Sequence, residues 1–196
     1  MPPKRIFSKS DIIDSSLMVV REKGFKQLSV REVARKLNSS TRPVYENFHS
    51  MNELKKTVLQ KTVDLLYEYV TRQYTDNAFL NTGVGYVLYA RDHKEFFKIA
   101  FFKDIDANLI IDEMLKKMDK EMIKVPYLKN LSRKERKALL KRCWIYTHGF
   151  AIMVFSGYIK NSQDDYIIRM LSEAGTIFIK DALQKHRKNC PDTTDK

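Results

Sequence analysis

Between Val30 and Ser50 the chain reads VREVARKLNSSTRPVYENFHS, and this stretch leaves little freedom of fold. Val30, Val33, Ala34 and Leu37 recur at i, i+3, i+4 and i+7, the spacing that lines one face of an α-helix. Val44 and Phe48 mark a second, shorter helical period. Asn38-Ser39-Ser40 lies between them. Asn, after Gly, most readily accepts the left-handed backbone that a sharp helix end needs. Ser29 with Glu32 three residues on is a capping box for the first of these helices. Ser40 is placed to cap the second, with Pro43 as its third residue, where a missing N–H costs nothing. Two short helices with so tight a corner form a helix-turn-helix, which lays its second helix in the major groove of DNA.

The remaining chain is also read as helical. A basic arm, residues 1–7, precedes a helix over about 9–23, capped by Ser8 or Ser10, stopped by Gly24 and buried along Ile13, Leu17 and Val20. Ser50 with Glu53 opens a long helix over about 50–74, with Leu54, Val58, Thr62, Leu65 and Tyr69 on its inner face. Further helices are expected near 77–90, 92–102, 106–123, 132–159 and 164–188. Six glycines and five prolines in 196 residues, and no period-two alternation, exclude a strand-and-turn architecture. The expected fold is all-α with about nine helices. Residues 1–50 form a three-helix DNA-binding domain, the helix 50–74 links it, and 51–196 form a second helical domain.

Charge supports this division. Residues 1–50 hold 10 Lys/Arg against 5 Asp/Glu, whereas 51–124 are balanced at 12 and 12. A small basic N-terminal domain suits a polyanion. At the start of the second short helix, Thr41 can meet a base edge or a thymine methyl, and Arg42 can read guanine or pair with a phosphate. Tyr45 presents a phenol to the backbone.

The segment 12–59, IIDSSLMVVREKGFKQLSVREVARKLNSSTRPVYENFHSMNELKKTVL, resembles the DNA-binding domain of the TetR family of bacterial transcriptional regulators. The likeness rests on Lys23-Gly24-Phe25, Ser29-Val30-Arg31, the pair Val33-Ala34, and Val44-Tyr45 with Phe48. Residues 144–157, WIYTHGFAIMVFSG, are similar to a Trp-x-x-x-His-Gly segment of some members. The resemblance implies a homodimeric, effector-controlled repressor of a palindromic duplex operator. Arg31, Thr41, Arg42 and Pro43 would then approach bases, and Ser29, Tyr45 and Asn47 would hold phosphates. Arg5 of the arm and Ser40 of the corner complete the expected DNA contacts. Two positions depart from the pattern. Met51 stands where many members have Lys, with Lys55 one turn later as a substitute. Glu46 puts an acid on the recognition helix, where it would accept from a cytosine amine or pair with Arg42.

In the second domain a small apolar or amphipathic effector is expected among Tyr86, Tyr89, Phe101, Met118, Trp144 and His148, with Phe97, Met114 and Phe155 as further candidates. Such stripes also serve as ordinary core, and His148 suits a hydrogen-bonded core histidine. The last two helices alternate small residues (Gly149, Ala151, Gly157, Ala174, Gly175) with large ones such as Met153 and Ile177. Packed against a second copy, they would form a four-helix bundle. The run LKNLSRKERKALLKR, 128–142, holds seven Lys/Arg and one Glu at a helix start, where cations are electrostatically disfavoured; it reads as a solvated helix start after a loop, the alternative being a second nucleic-acid or membrane patch.

No catalytic constellation is legible. DIDANLIIDE, 104–113, starts like a calcium loop but has Leu109 where Gly is needed and Leu115 where Glu is needed. His49 and Glu53 lack a second His at ligand spacing, and Cys143 and His148 point to divergent faces. The expectation is a non-enzyme without metal or cofactor, without a membrane span, in a reducing cytoplasm. The alternative is a helical ligand-binding or adaptor protein with only non-specific affinity for DNA.

Overall fold

The computed structural model describes residues 7–102 and 107–189. Arg5 and residues 104–106 of the calcium-like segment lie outside the described residues. Among those described the chain is helical throughout. Its elements are α1 (Lys9–Lys23), a 3-10 turn (Phe25–Gln27), α2 (Val30–Lys36), α3 (Arg42–Asn47) and α4 (Met51–Thr71). They continue with α5 (Ala78–Asp92), α6 (Lys94–Phe102), α7 (Ala107–Lys124), α8 (Arg133–Phe155) and α9 (Asp164–Asn189). No described helix is long and apolar enough to cross a membrane.

Two compact units form, one from Met1–Leu65 with His93–Ile105, the other from Leu66–Asp92 with Asp106–Lys196. The division falls inside α4 and not at residue 50, because no Gly or Pro interrupts that helix as it leaves the first core. α6 joins the first unit by packing on α1, with Arg21 over the Phe96 ring at 5.8 Å.

In the first unit, the α1 cap is the Ser8–Asp11 capping box. Its buried face is Ile12, Ser15, Ser16, Val19 and Val20, one position off the expected Ile13–Leu17–Val20 stripe. The shift arises because α1 packs on α2, α3 and α6 together and buries a wider arc. Ser16 is tolerated there because its hydroxyl donates to the Ile12 carbonyl at 2.7 Å. The end of α2 follows from Asn38, whose φ is 51°. With Asn38 left-handed, its N–H donates to the Arg35 carbonyl at 3.1 Å and the Ser39 N–H to the Ala34 carbonyl at 3.0 Å. This pair of bonds is the Schellman pattern. The N-cap position of α3 is Thr41, not Ser40, and it makes no side-chain cap bond; Pro43 is the second residue of that helix. Val44 and Phe48, each 2% exposed, fix α3 on the core.

The second unit is organised around α5. Phe79 and every residue from Asn81 to Ala90 are buried, and the helix packs against α7, α8 and α9. Its buried amide is fully used. Asn81 Oδ1 accepts from the Tyr74 and Thr75 N–H groups and the Thr75 hydroxyl, while Nδ2 donates to the Thr75 carbonyl. That network pins the loop between α4 and α5. Below it lies an apolar cluster containing Phe79, Met118, Met122, Leu128, Leu139 and Leu140. At the start of α8, Ser132 and Glu135 close a capping box. Glu135 also meets His186 of α9 at 3.1 Å, and Arg142 pairs with Asp181. α8 stops at Phe155, short of the expected 159, because Gly157 takes a φ of 78°.

Gly85 has no room for a side chain: a Cβ there would lie 2.0 Å from the Tyr69 carbonyl oxygen. Since the obstacle is backbone, Gly85→Ala is expected to destabilise the protein by about 2–4 kcal/mol, read by urea denaturation. A midpoint equal to the parent's would refute this packing of α5 on the end of α4.

Candidate nucleic-acid interface and ligand cavity

Burial of Val44 and Phe48 decides what α3 shows to solvent. Arg42, Tyr45 and Glu46 are exposed, Tyr45 by 62%, and Thr41 and Pro43 are half-buried at the helix start. Arg31 is exposed on the first turn of α2, and Ser40 is exposed in the corner. Ser29 caps α2 by accepting the Glu32 N–H at 3.4 Å, which leaves its hydroxyl proton to donate outward. Glu32 does not close the capping box. The Lys23 ammonium beside it holds its carboxyl below the usual range, and Arg35 also pairs with it.

Three placements refine the site. Arg42 Nε donates to Glu46 at 2.7 Å, an exposed i, i+4 pair worth at most about 1 kcal/mol and easily exchanged for a phosphate or a base. Asn47 turns inward: its amide nitrogen donates to the Pro43 carbonyl at 2.9 Å and the Phe7 carbonyl at 3.4 Å. Its donors thus brace the end of α3. Lys55 is half-buried on α4, behind a start fixed by Glu53. That carboxyl accepts from the His49 N–H at 2.9 Å and from Lys9 at 3.3 Å, and is held below the usual range chiefly by the His49 bond.

The residues expected to hold an effector separate into groups. Tyr86, Trp144 and His148 come together. The Tyr86 hydroxyl lies 2.8 Å from His148 Nδ1, Trp144 stacks on His148 at 5.3 Å, and Tyr86 meets Trp144 edge-on at 5.0 Å. Burial lowers the His148 pKa from its ordinary value and pushes that of Tyr86 well up, so both are neutral near pH 7. Which group donates follows the ring tautomer: the phenol donates to a bare Nδ1, or a protonated Nδ1 donates to the phenol oxygen. Tyr89 is fully buried, edge-on to Tyr69 at 5.7 Å. Phe101 belongs to the other compact unit, against Phe97 at 4.8 Å. Met118 lines a cavity of about 90 Å³ with Phe79, Leu80, Gly83, Tyr146 and Thr147. It also borders a polar groove of about 400 Å³ flanked by Thr71, Arg72, Lys117 and Lys120.

Sequence reading missed the cavity wall. Its signal was Gly83, a small residue in a helix buried nearly all round, whose absent side chain leaves space against Thr147 and Leu171. Cys143 also lines it, and burial pushes that thiol up to about 11, so it is unreactive at neutral pH.

A helix-turn-helix that buries its apolar face and exposes Arg42 and Tyr45 supports a DNA-binding regulator. Residues 12–57 match the family model of bacterial regulatory proteins, tetR family. No curated protein matches the chain. Among solved structures, a TetR-like transcriptional regulator from Rhodococcus sp. RHA1 aligns with TM-score 0.56 at 15% identity, covering 88% of this chain and 96% of that one. The fatty acid degradation regulator FadR from Bacillus halodurans aligns with TM-score 0.55 at 16% identity, covering 90% and 97%. BioQ, solved with its double-stranded DNA operator, aligns with TM-score 0.51 at 17% identity, covering 87% and 99%. At these identities the structures speak for the fold. Residues 12–57 thus match the tetR family's regulatory proteins, and the fold is that of TetR-like transcriptional regulators, which supports a DNA-binding regulator.

Two outcomes follow from the geometry. Glu46→Gln frees Arg42 and removes a negative charge from the recognition helix, so affinity for random-sequence duplex should rise about threefold to tenfold in an anisotropy titration. A fall would mean that Glu46 itself contacts DNA. Because the His148 pKa lies below its ordinary 6.5 in the folded chain, the unfolded chain takes up the proton first as pH drops below about 6.5. Stability is then lost on acidification. Denaturation at about pH 7.5 and about pH 5.5 should show a smaller loss for His148→Gln than for the parent, and equal losses would exclude the assignment.

Proposed function

We propose that this chain is a dimeric, ligand-responsive repressor that binds a palindromic duplex operator and releases it when a small apolar or amphipathic effector enters the second unit. The observation carrying the reading is the outward display of Arg42 and Tyr45 on a helix anchored by Val44 and Phe48, with Thr41 half-buried at its N-cap. In this reading Arg31, Thr41, Arg42 and Pro43 approach bases, with Arg42 exchanging Glu46 for guanine or phosphate. Ser29, Ser40, Tyr45 and Lys55 hold backbone phosphates, joined by Arg5 from the arm. Asn47 acts through its brace on α3.

The surface of α8 and α9 supports dimerisation. Ile145, Gly149 and Met153 follow one another at i, i+4 and i+8, with Ile145 61% exposed; Ile177 on α9 is 65% exposed. Gly149 and Gly175 have open space where a Cβ would stand, so nothing within the monomer requires them to be small. A partner helix in close approach does. Ala151, Ile167, Leu171 and Ala174 are instead consumed by packing within the monomer. An effector in the cavity beside Met118 would favour a dimer geometry in which the recognition helices no longer match the half-site spacing. Tyr86, Trp144 and His148 would sense it through α8, which also carries the cavity residue Thr147.

The test is a titration of the protein into the intergenic DNA upstream of its own gene and into scrambled DNA of equal length. A preference of about a thousandfold, with Arg42→Ala losing about 1–3 kcal/mol and discrimination at one base position, is the expected result. Equal, salt-sensitive binding to both duplexes would instead support the ligand-binding module with non-specific DNA affinity.

A further inference from the structure

The basic run 128–142 is absorbed neither by the operator-reading helices nor by the cavity. Two of its seven cations have structural partners: Arg136 donates to Asp119 at 2.9 Å and to the Leu131 carbonyl, and Arg142 pairs with Asp181. The other five, Lys129, Arg133, Lys134, Lys137 and Lys141, are exposed, and none forms an ion pair with a described residue. The nearby acids are already occupied. Glu135 caps α8 and meets His186, Asp119 holds Arg136, Asp181 holds Arg142 and Lys185, and Glu121 holds Lys124.

Stability does not account for this group. Arg133, Lys134, Lys137 and Lys141 fall within about 100° of arc at 3.6 residues per turn, so they share one face. Arg133 with Lys137, and Lys137 with Lys141, are like charges at i, i+4, which destabilise a helix. Arg133 and Lys134 occupy the first turn of α8, where the macrodipole disfavours cations. By contrast, Arg187 and Lys188 sit in the last turn of α9, where the macrodipole favours them. An external anion would offset both repulsions on α8.

We propose that this face of α8, with Lys129 before it, is a second DNA-binding surface that grips the phosphate backbone of duplex DNA without regard to sequence. The stripe from Arg133 to Lys141 runs about 12 Å, against a duplex carrying one charge per about 1.7 Å of axis. Between Arg133 and Lys141 the helix has no aromatic residue, and the exposed Tyr127 before Lys129 is one ring, short of the successive stacking platforms that unpaired bases use. Leu139 and Cys143 on the opposite face of α8, and Leu140 beside Arg133, are buried in the unit's own core. That leaves this stretch no apolar face to insert into a lipid surface, as interfacial helices do. This inference rests on the proposed reading of the first unit as DNA-binding, and the surface contributes sequence-independent affinity of its own.

The test compares the parent with the triple variant Lys134→Gln, Lys137→Gln, Lys141→Gln on a random-sequence duplex over a range of salt. The slope of log affinity against log salt is expected to become shallower by about 2–3, near 0.9 for each phosphate that is no longer neutralised, with at least a tenfold weaker affinity at about 0.1 M salt. The thermal midpoint should hold or rise, since repulsion is removed. The preference for operator over random duplex should not fall, which separates this surface from the reading helix. An unchanged slope overturns the proposal, as does a loss of operator preference. Binding to phosphatidylserine vesicles that the variant abolishes, with the DNA slope unchanged, also overturns it and assigns the face to membranes.

Discussion

The left-handed backbone at Asn38 is the constraint on which the DNA-reading unit depends. It ends α2, supplies N–H donors to the Arg35 and Ala34 carbonyls, and redirects the chain within a few residues. Only after that corner can Val44 and Phe48 return to the same core as Val33 and Ala34. Their burial then determines, at 3.6 residues per turn, that Arg42, Tyr45 and Glu46 face water. A β-branched residue at position 38 would resist the corner, and the outward face of α3 would lose its definition.

How much could be read from the sequence followed from how local the cause was. The corner at Asn38, the stop at Gly24, and the caps at Ser29 and Ser132 are set by neighbours within four residues and were legible, while the α1 cap was narrowed to Ser8 or Ser10. The Arg42–Glu46 pair was legible for the same reason. Features that depend on distant partners were not. The α1 stripe shifted from Ile13 to Ile12 and drew in two serines, because three other helices choose which arc is buried. α3 began at Arg42 under Thr41, so Ser40 stayed in the corner. Asn47 reads as a phosphate donor until Phe7 and Pro43 are seen to hold its amide.

The second unit follows the same division. An aromatic at helical spacing identifies a buried position but not whether the burial is by protein or by ligand. Tyr86 and Tyr89 are closed in by protein. The cavity opens where a side chain is missing, at Gly83, and its other wall comes from α8 and α9, far along the chain. Gly85, two residues on, is small for the opposite reason: the α4 backbone fills its space. Neighbouring glycines on one helix thus serve emptiness and close packing, and only the fold tells them apart.

Charge in this chain is organised by the same contrast between satisfied and unsatisfied groups. In the first unit each of Glu22, Glu32, Glu46 and Glu53 has a cationic partner, while Arg31 stands exposed on the first turn of α2. On α8, Arg136 and Arg142 are anchored by acids and five neighbouring cations are not. Exposed ion pairs contribute little to stability, so the acids act mainly by selecting which cations remain available. An unpaired cation at an unfavourable helix position is costly in the isolated protein and becomes favourable only when an anion arrives. In the proposed reading, the distribution of unpaired charge, more than the net charge of +12, therefore decides where a polyanion would be met.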